Sequence, residues 1–115
     1  MAANLDNGVI LGALGSLHTD GTGAVKPPAG MVIAAIQFLS KNTPTALVAE
    51  NADKFFSTAH AANSLGAGSE TVDEGSGGIA LSGAEFPAGM TIYGRWTTAT
   101  FAADSTGGVI CYFGY

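Results

Sequence analysis

A four-residue phrase occurs twice in this chain. Pro28-Ala29-Gly30-Met31 opens the run Met31-Val32-Ile33-Ala34-Ala35-Ile36-Gln37-Phe38-Leu39, and Pro87-Ala88-Gly89-Met90 opens Met90-Thr91-Ile92-Tyr93-Gly94-Arg95-Trp96-Thr97. Proline presets φ for a turn, and glycine accepts the positive φ that can close one. The residues after each glycine are β-branched, aromatic or small, which suits a pleated surface. The expected object is a small all-β unit: an antiparallel β-sandwich or flattened β-barrel with at most one short helix. It is built on two similar turn-strand-loop-strand pieces at residues 28–49 and 87–113, which should occupy corresponding places in two sheets.

At 115 residues the chain can hold one compact core and not two. Only 11% of its residues are charged, against about 25% in an ordinary soluble domain. A surface so poor in charge is expected to be covered, and the cover is expected to be partner protein. The apolar stretches at residues 9–14 and 31–39 are much shorter than the roughly 20 residues that span a bilayer, so no membrane partner is expected. The net charge is −5, and Lys26, Lys41, Lys54 and Arg95 are scattered. With no basic stripe to hold phosphates, nucleic acid is not an expected partner. The single Cys111 lies in an apolar run and reads as a buried core thiol. The first residues lack the positive charge that begins a signal peptide, so synthesis and assembly in a cytoplasm are expected.

Residues 1–25 are glycine-rich with short apolar pieces at Val9, Ile10, Leu11 and Leu14. They read as an irregular arm with one short strand at most, preceding a single domain at residues 26–115. Residues 31–39 form a strand buried on both sides. Alternation places Val32, Ala34, Ile36 and Phe38 on one face and Ile33, Ala35 and Leu39 on the other, with Gln37 the one polar residue. Ala46-Leu47-Val48-Ala49 reads as the returning strand, and residues 51–63 as a short helix or an ordered loop, ended by Gly66-Ala67-Gly68. Residues 90–101 and 109–113 read as a closing hairpin around the turn signal Asp104-Ser105-Thr106-Gly107-Gly108. Met90, Ile92 and Trp96 fall on one face of its first strand, and Tyr93, Arg95 and Phe101 on the other. Trp96, Ile92, Ile36, Phe38, Val48 and Cys111 are the expected core.

The residues that could carry chemistry lack the frames that chemistry needs. Gly75-Ser76-Gly77-Gly78 has no lysine and leads toward a strand, whereas a phosphate loop leads into a helix N-terminus. The serine of Gly12-Ala13-Leu14-Gly15-Ser16-Leu17 does not stand between two glycines as in a nucleophile elbow. His18 and His60, with Asp20 or Asp53, have no metal-ligand spacing. Asp73-Glu74 lacks the alternating oxygen ligands of a calcium loop. Asp53, Ser57 and His60 share triad residue types only, and a triad is a tertiary arrangement. No catalytic residue, metal or cofactor is therefore expected. The aromatic residues of the closing strands suit core and interface packing better than a sugar platform. Arg95 beside Trp96 reads as an interface ion pair, a guanidinium stacked on a ring, or a charge protecting an edge strand.

The run at residues 86–97, closing with Gly108-Val109-Ile110-Cys111-Tyr112-Phe113-Gly114, is similar to small virion structural proteins of tailed phages that infect marine bacteria. The run at residues 28–39, followed by Leu47-Val48-Ala49-Glu50, resembles the first half of the same group. The resemblance covers about residues 25–115. It implies a non-enzymatic particle component, located in the virion and made in the host cytoplasm. The reading adopted is a capsid decoration, or cement, protein on the outer shell surface. Its expected partners are the major capsid protein and its own copies, as a small homo-oligomer such as a trimer. The alternatives are a tail or fibre component that attaches to the host, and a small β-sandwich enzyme or sugar-binding module. The candidate interface residues are Val9, Ile10, Leu11, Leu14, Tyr93, Arg95, Tyr112 and Tyr115.

Overall fold

The computed structural model describes residues 12–51, 54–58, 79–103 and 106–115. Its regular elements are five strands: β1 (Ser16–Thr19), β2 (Val32–Phe38), β3 (Ala46–Ala49), β4 (Thr91–Thr100) and β5 (Val109–Gly114). All pairings are antiparallel, in one sheet of order β1-β5-β2-β4-β3. The expectation of an all-β antiparallel fold holds.

Both copies of the repeated phrase make the expected turn. The amide of Met31 donates to the carbonyl of Pro28 at 3.0 Å and that of Met90 to Pro87 at 3.3 Å. Gly30 and Gly89 hold φ of 81° and 88°, the positive values that a type II turn places at its third residue. The strands that follow, β2 and β4, lie side by side at the centre of the sheet rather than in facing sheets. Neither is in a hairpin with the strand after it. β3 crosses to pair with β4, and β5 crosses to pair with β2. The expected closing hairpin is therefore corrected: β2 is inserted between β4 and β5. Exchange of the two pieces maps the order β5-β2-β4-β3 onto itself, so each half of the chain supplies the outer strand of the other. The segments ahead of the turns follow the same rule. Val25 bridges Ala99, and Phe86 bridges Asn42.

One face of the sheet carries the core. It holds Ile33, Ile36 and Phe38 of β2, Leu47 of β3, Trp96 and Ala99 of β4, and Val109, Cys111 and Phe113 of β5. Loop residues take the place of a second layer, with Phe101 and Val25 in the same cluster and Phe56, Leu81 and Phe86 packed against it. Phe38 stacks on Phe86 at 5.0 Å between ring centroids, and Phe56 meets Trp96 edge-on at 5.3 Å. The indole N–H of Trp96 donates to the carbonyl of Phe56 at 3.2 Å, which satisfies its polar atom inside the core.

Two bulges reassign faces that strict alternation placed differently. Around Ala34 the β2 register slips between Ile33 and Ala35, so Ile33 joins Ile36 and Phe38 on the core face while Val32 and Ala35 turn away. In β4 the register against β3 slips where Val48 and Ala49 face Thr98 and Trp96. The extra residue, Thr97, brings Ala99 and then Phe101 to the Trp96 side. Phe101 is accordingly buried with Trp96 rather than opposite it. An inserted residue inverts the alternation of everything after it. The expected core position Val48 is also corrected: it is 42% exposed, and its neighbour Leu47 is fully buried in its place. Ile92 is half-buried against the core.

The stretch expected as an irregular arm supplies β1 and Val25 to the sheet. Asn51 accepts from the amides of Lys54 and Phe55 in a single turn. The described residues 54–58 form a turn and irregular chain with no helix, which corrects the short helix expected near residues 51–63 over that part; residues 52, 53 and 59–63 lie outside the described residues.

Trp96→Ala is expected to cost about 3–5 kcal/mol in urea denaturation, as large core truncations do. A loss under about 1 kcal/mol would show that the indole is not a core anchor. A second comparison isolates the packing of β1. Gly30 and Gly108 share a φ of 81°, but a Cβ at Gly30 meets nothing, whereas one at Gly108 collides with the carbonyl oxygen of Thr19 in β1. Gly30→Ala should lose about 1–2 kcal/mol from the left-handed backbone alone, and Gly108→Ala distinctly more. Equal losses would mean that β1 yields freely.

Candidate functional site

The face of the sheet turned away from the core has no layer over it among the described strands and loops. Its composition follows from register. Tyr93, Ala35, Tyr112 and Ser16 form one row across four strands, and Thr91, Gln37, Ile110 and His18 form the next. Side chains directly opposite in antiparallel strands share a face, so both rows sit together. Ala35 is buried between its two tyrosine neighbours, Tyr112 is half-buried, and Tyr93 is 66% exposed. The hydroxyl of Tyr112 donates to Oε1 of Gln37 at 3.0 Å. That bond ties one row to the next and fixes the outer ring edge. A ring nitrogen of His18 donates to the carbonyl of Gly107 at 2.7 Å.

Among the described residues one ion pair lies at this surface, at the end of β3. Arg95 uses Nε and Nη2 on the two carboxylate oxygens of Glu50, at 2.7 and 3.2 Å, and donates through Nη1 to the main-chain oxygen of Tyr115 at 2.9 Å. The fork reads the carboxylate bidentately and joins β4, the end of β3 and the residue after β5. The hydrogen bond from Arg95 holds the Glu50 carboxyl below its ordinary pKa, and the same bond raises the guanidinium further. Arginine and glutamate are paired with one another, and the two rows hold no Asp, Glu, Lys or Arg side chain.

The structure thus brings together four of the residues expected at an interface: Tyr93 and Tyr112 share the open face, and Arg95 is bonded to Tyr115, which is 75% exposed. Leu14 is half-buried just before β1, and the β1–β5 register, continued by the bond from the Phe113 amide to Gly15, sets it opposite Gly114, beside Tyr115. Val9, Ile10 and Leu11 lie outside the described residues. Glu50 and Gln37 are the members that sequence reasoning left unassigned. Gln37 had a signal, as the one polar residue in a buried strand. Glu50 had none, since its partner is reached only when β3 pairs with β4.

Elsewhere the geometry offers little chemistry. Beside β3 a groove of about 550 Å³ is lined by Thr43, Thr45, Thr58, Leu81 and Ser82 among others, with hydroxyls and no charged side chain. Among the described residues no three His, Cys, Asp or Glu side chains cluster as metal ligands, and no helix is long and apolar enough to cross a membrane. Ser57 is buried, with its carbonyl accepting from Leu81. Asp53, His60, Asp73, Glu74 and the stretch at residues 75–78 lie outside the described residues. Burial pushes the Cys111 thiol up to about 12, which keeps it protonated and unreactive at neutral pH. Comparison with known proteins returns nothing: no family model, no curated protein and no solved structure matches the chain.

Because the folded state lowers the Glu50 pKa, the stabilisation from its bond to Arg95 is complete above the ordinary glutamate range and fades as pH falls through the lowered value. The melting temperature of wild type should therefore exceed that of Glu50→Gln at neutral pH, and the gap should close in acid. A gap that stays constant from neutral to acid pH would show that the carboxylate charge plays no part.

Proposed function

We propose that this chain is a non-enzymatic structural protein of a phage particle, a decoration protein that binds the outer surface of the capsid and stabilises it. Two things support the reading: the resemblance of residues 25–115 to small virion proteins, and the open sheet face. The face is the observation that carries it. Its two rows hold no Asp, Glu, Lys or Arg, the flanking Arg95 is paired with Glu50, and it presents Tyr93 at 66% exposure beside a hydroxyl-anchored Tyr112. Tyrosines with a fixed orientation and low residual entropy are favoured anchors at protein interfaces. Five strands at about 4.8 Å spacing make a face roughly 20 Å wide. That gives several hundred Å², close to the roughly 800 Å² that one partner contributes to a standard interface.

The mechanism is mass action. A protein that binds assembled shell and not separated subunits lowers the free energy of the assembled state by the binding energy, copy by copy. Many modest contacts on one lattice add through avidity, so each copy needs only a standard-sized interface. The partners in this reading are the major capsid protein and further copies of the chain, and no cofactor takes part.

A second reading draws on the same face. Tyr93 and Tyr112 flank Ala35, an arrangement on which a sugar ring of a host receptor could stack, as a tail or fibre component would require.

Cryo-EM of whole particles tests both. Density for this chain on the outer capsid lattice, bridging shell subunits with the Tyr93 face inward, is the expected result. Tyr93→Glu should then weaken binding to assembled shells at least about tenfold without moving the melting temperature. Density confined to the tail would overturn the decoration reading and favour receptor binding.

A further inference from the structure

The two edges of the sheet are finished differently. At β3 the outward main-chain groups are those of Leu47. Its N–H donates to Oγ1 of Thr58 at 2.8 Å, and its carbonyl accepts from the Thr58 amide at 2.9 Å. That edge is closed by a side chain and a loop. At β1 the amide of Phe113 donates to Gly15 at 3.0 Å, and Leu17 and Thr19 continue the same register against Cys111 and Val109. In an antiparallel strand the main-chain groups of successive residues point to opposite sides. Ser16 and His18 therefore direct their N–H and C=O groups away from β5, and these have no partner among the described residues. Ser16, Leu17 and His18 are all exposed. β1 carries no lysine, proline or bulge, the features that usually keep an open edge from pairing.

From this edge we infer that β1 is a self-association site, at which a second copy of this chain adds its own β1 in antiparallel register about a two-fold axis through Leu17. The occupant is identified by fit. An isologous contact requires the same patch to complement itself. With Leu17 opposite Leu17 of the second copy, Ser16 faces the second copy's His18 and His18 its Ser16. The outward donors and acceptors of both copies are then all used, in four hydrogen bonds. Leu17 occupies the non-hydrogen-bonded position, where side chains come closest. Its 37% exposed side chain, on the core side of the sheet with Cys111, would close over its mate. The same register sets each Asp20 opposite Leu14, far from the other Asp20, so no like charges meet. β1 has only four residues, and the match is to a strand equally short.

Such a two-fold stands perpendicular to the sheet. It joins two five-stranded sheets into one of ten and leaves both Tyr93 faces on the same side. The dimer would present a continuous surface twice the size of one copy's. This association does not depend on the particle reading and can be tested apart from it.

Sedimentation velocity over a concentration series, with the full chain, tests the site. Wild type should show a monomer–dimer equilibrium. Leu17→Lys, which sets two ammonium groups face to face across the axis, should raise the dissociation midpoint at least about tenfold. Ser16→Pro should do the same by removing an outward N–H while leaving the bonds to β5 in place. Val48→Lys, on the closed β3 side, should not shift it. Circular dichroism melts of each variant show whether the monomer remains folded, and the two β1 variants act by different means, so misfolding of one leaves the other informative. A wild type that stays monomeric at its solubility limit, an oligomer other than a dimer, or a dimer that neither β1 variant weakens would overturn the inference.

Discussion

The pairing of β2 with β4 is the contact on which the rest of this structure depends. These are the two strands that follow the repeated turn, and they take the centre of the sheet side by side. Once they pair, each has one free edge left, and the strand that fills it comes from the other half of the chain. β5 must cross to reach β2, and β3 must cross to reach β4. Neither central strand is joined to its neighbour by a tight hairpin, so long loops must close for the sheet to gain its central bonds. The two halves are then interlocked, and neither has a complete set of partners alone.

The core face is organised around this pairing. Ile36 and Ile92 meet across the central strands, and Trp96 lies over the backbone of Gly94, where a Cβ would stand 2.6 Å from the indole. A glycine at that position lets the largest core side chain lie flat against its own strand. Beyond the strands, Asn42 locks the loops to the sheet. Its side chain donates to the carbonyl of Ala102 at 2.9 Å and accepts from the Ala102 amide at 3.1 Å, while its main chain exchanges bonds with Phe86. Almost fully buried, it satisfies four polar groups that would otherwise face an apolar interior. Loops thus complete the core that a second sheet completes in a sandwich. The opposite face is left to Tyr93, Tyr112 and their neighbours.

That asymmetry links fold to the proposed role. A domain with few charges, one closed face and one open face suits a protein whose second layer is another molecule. The edges carry the same logic at smaller scale: Thr58 closes β3, and β1 remains open. An edge whose outward main-chain groups have no partner among the described residues, beside a face with an exposed tyrosine, fits the lateral and the facing contacts proposed above.

Local structure was legible in the residues themselves. Proline and glycine fixed both turns, because their φ preferences belong to single residues. The apolar runs placed β2, β3, β4 and β5 within a residue or two, because burial of a pleated strand leaves its trace in composition. Arg95 could be named as a candidate because charge is rare in this chain, and Tyr93, Tyr112 and Tyr115 because they are aromatic side chains with a polar end in the closing strands. Tertiary structure alone decided which strands are neighbours, since turn residues say that a chain reverses and not what lies beside it afterwards. It also decided the faces of Ile33, Val48 and Phe101. A bulge is an event between two strands, and one inserted residue inverts every side chain beyond it. For the same reason Glu50 could not be assigned to Arg95 from sequence: the carboxylate reaches the guanidinium only because β3 crosses to β4, a choice made by the competition for the two free edges of the central pair.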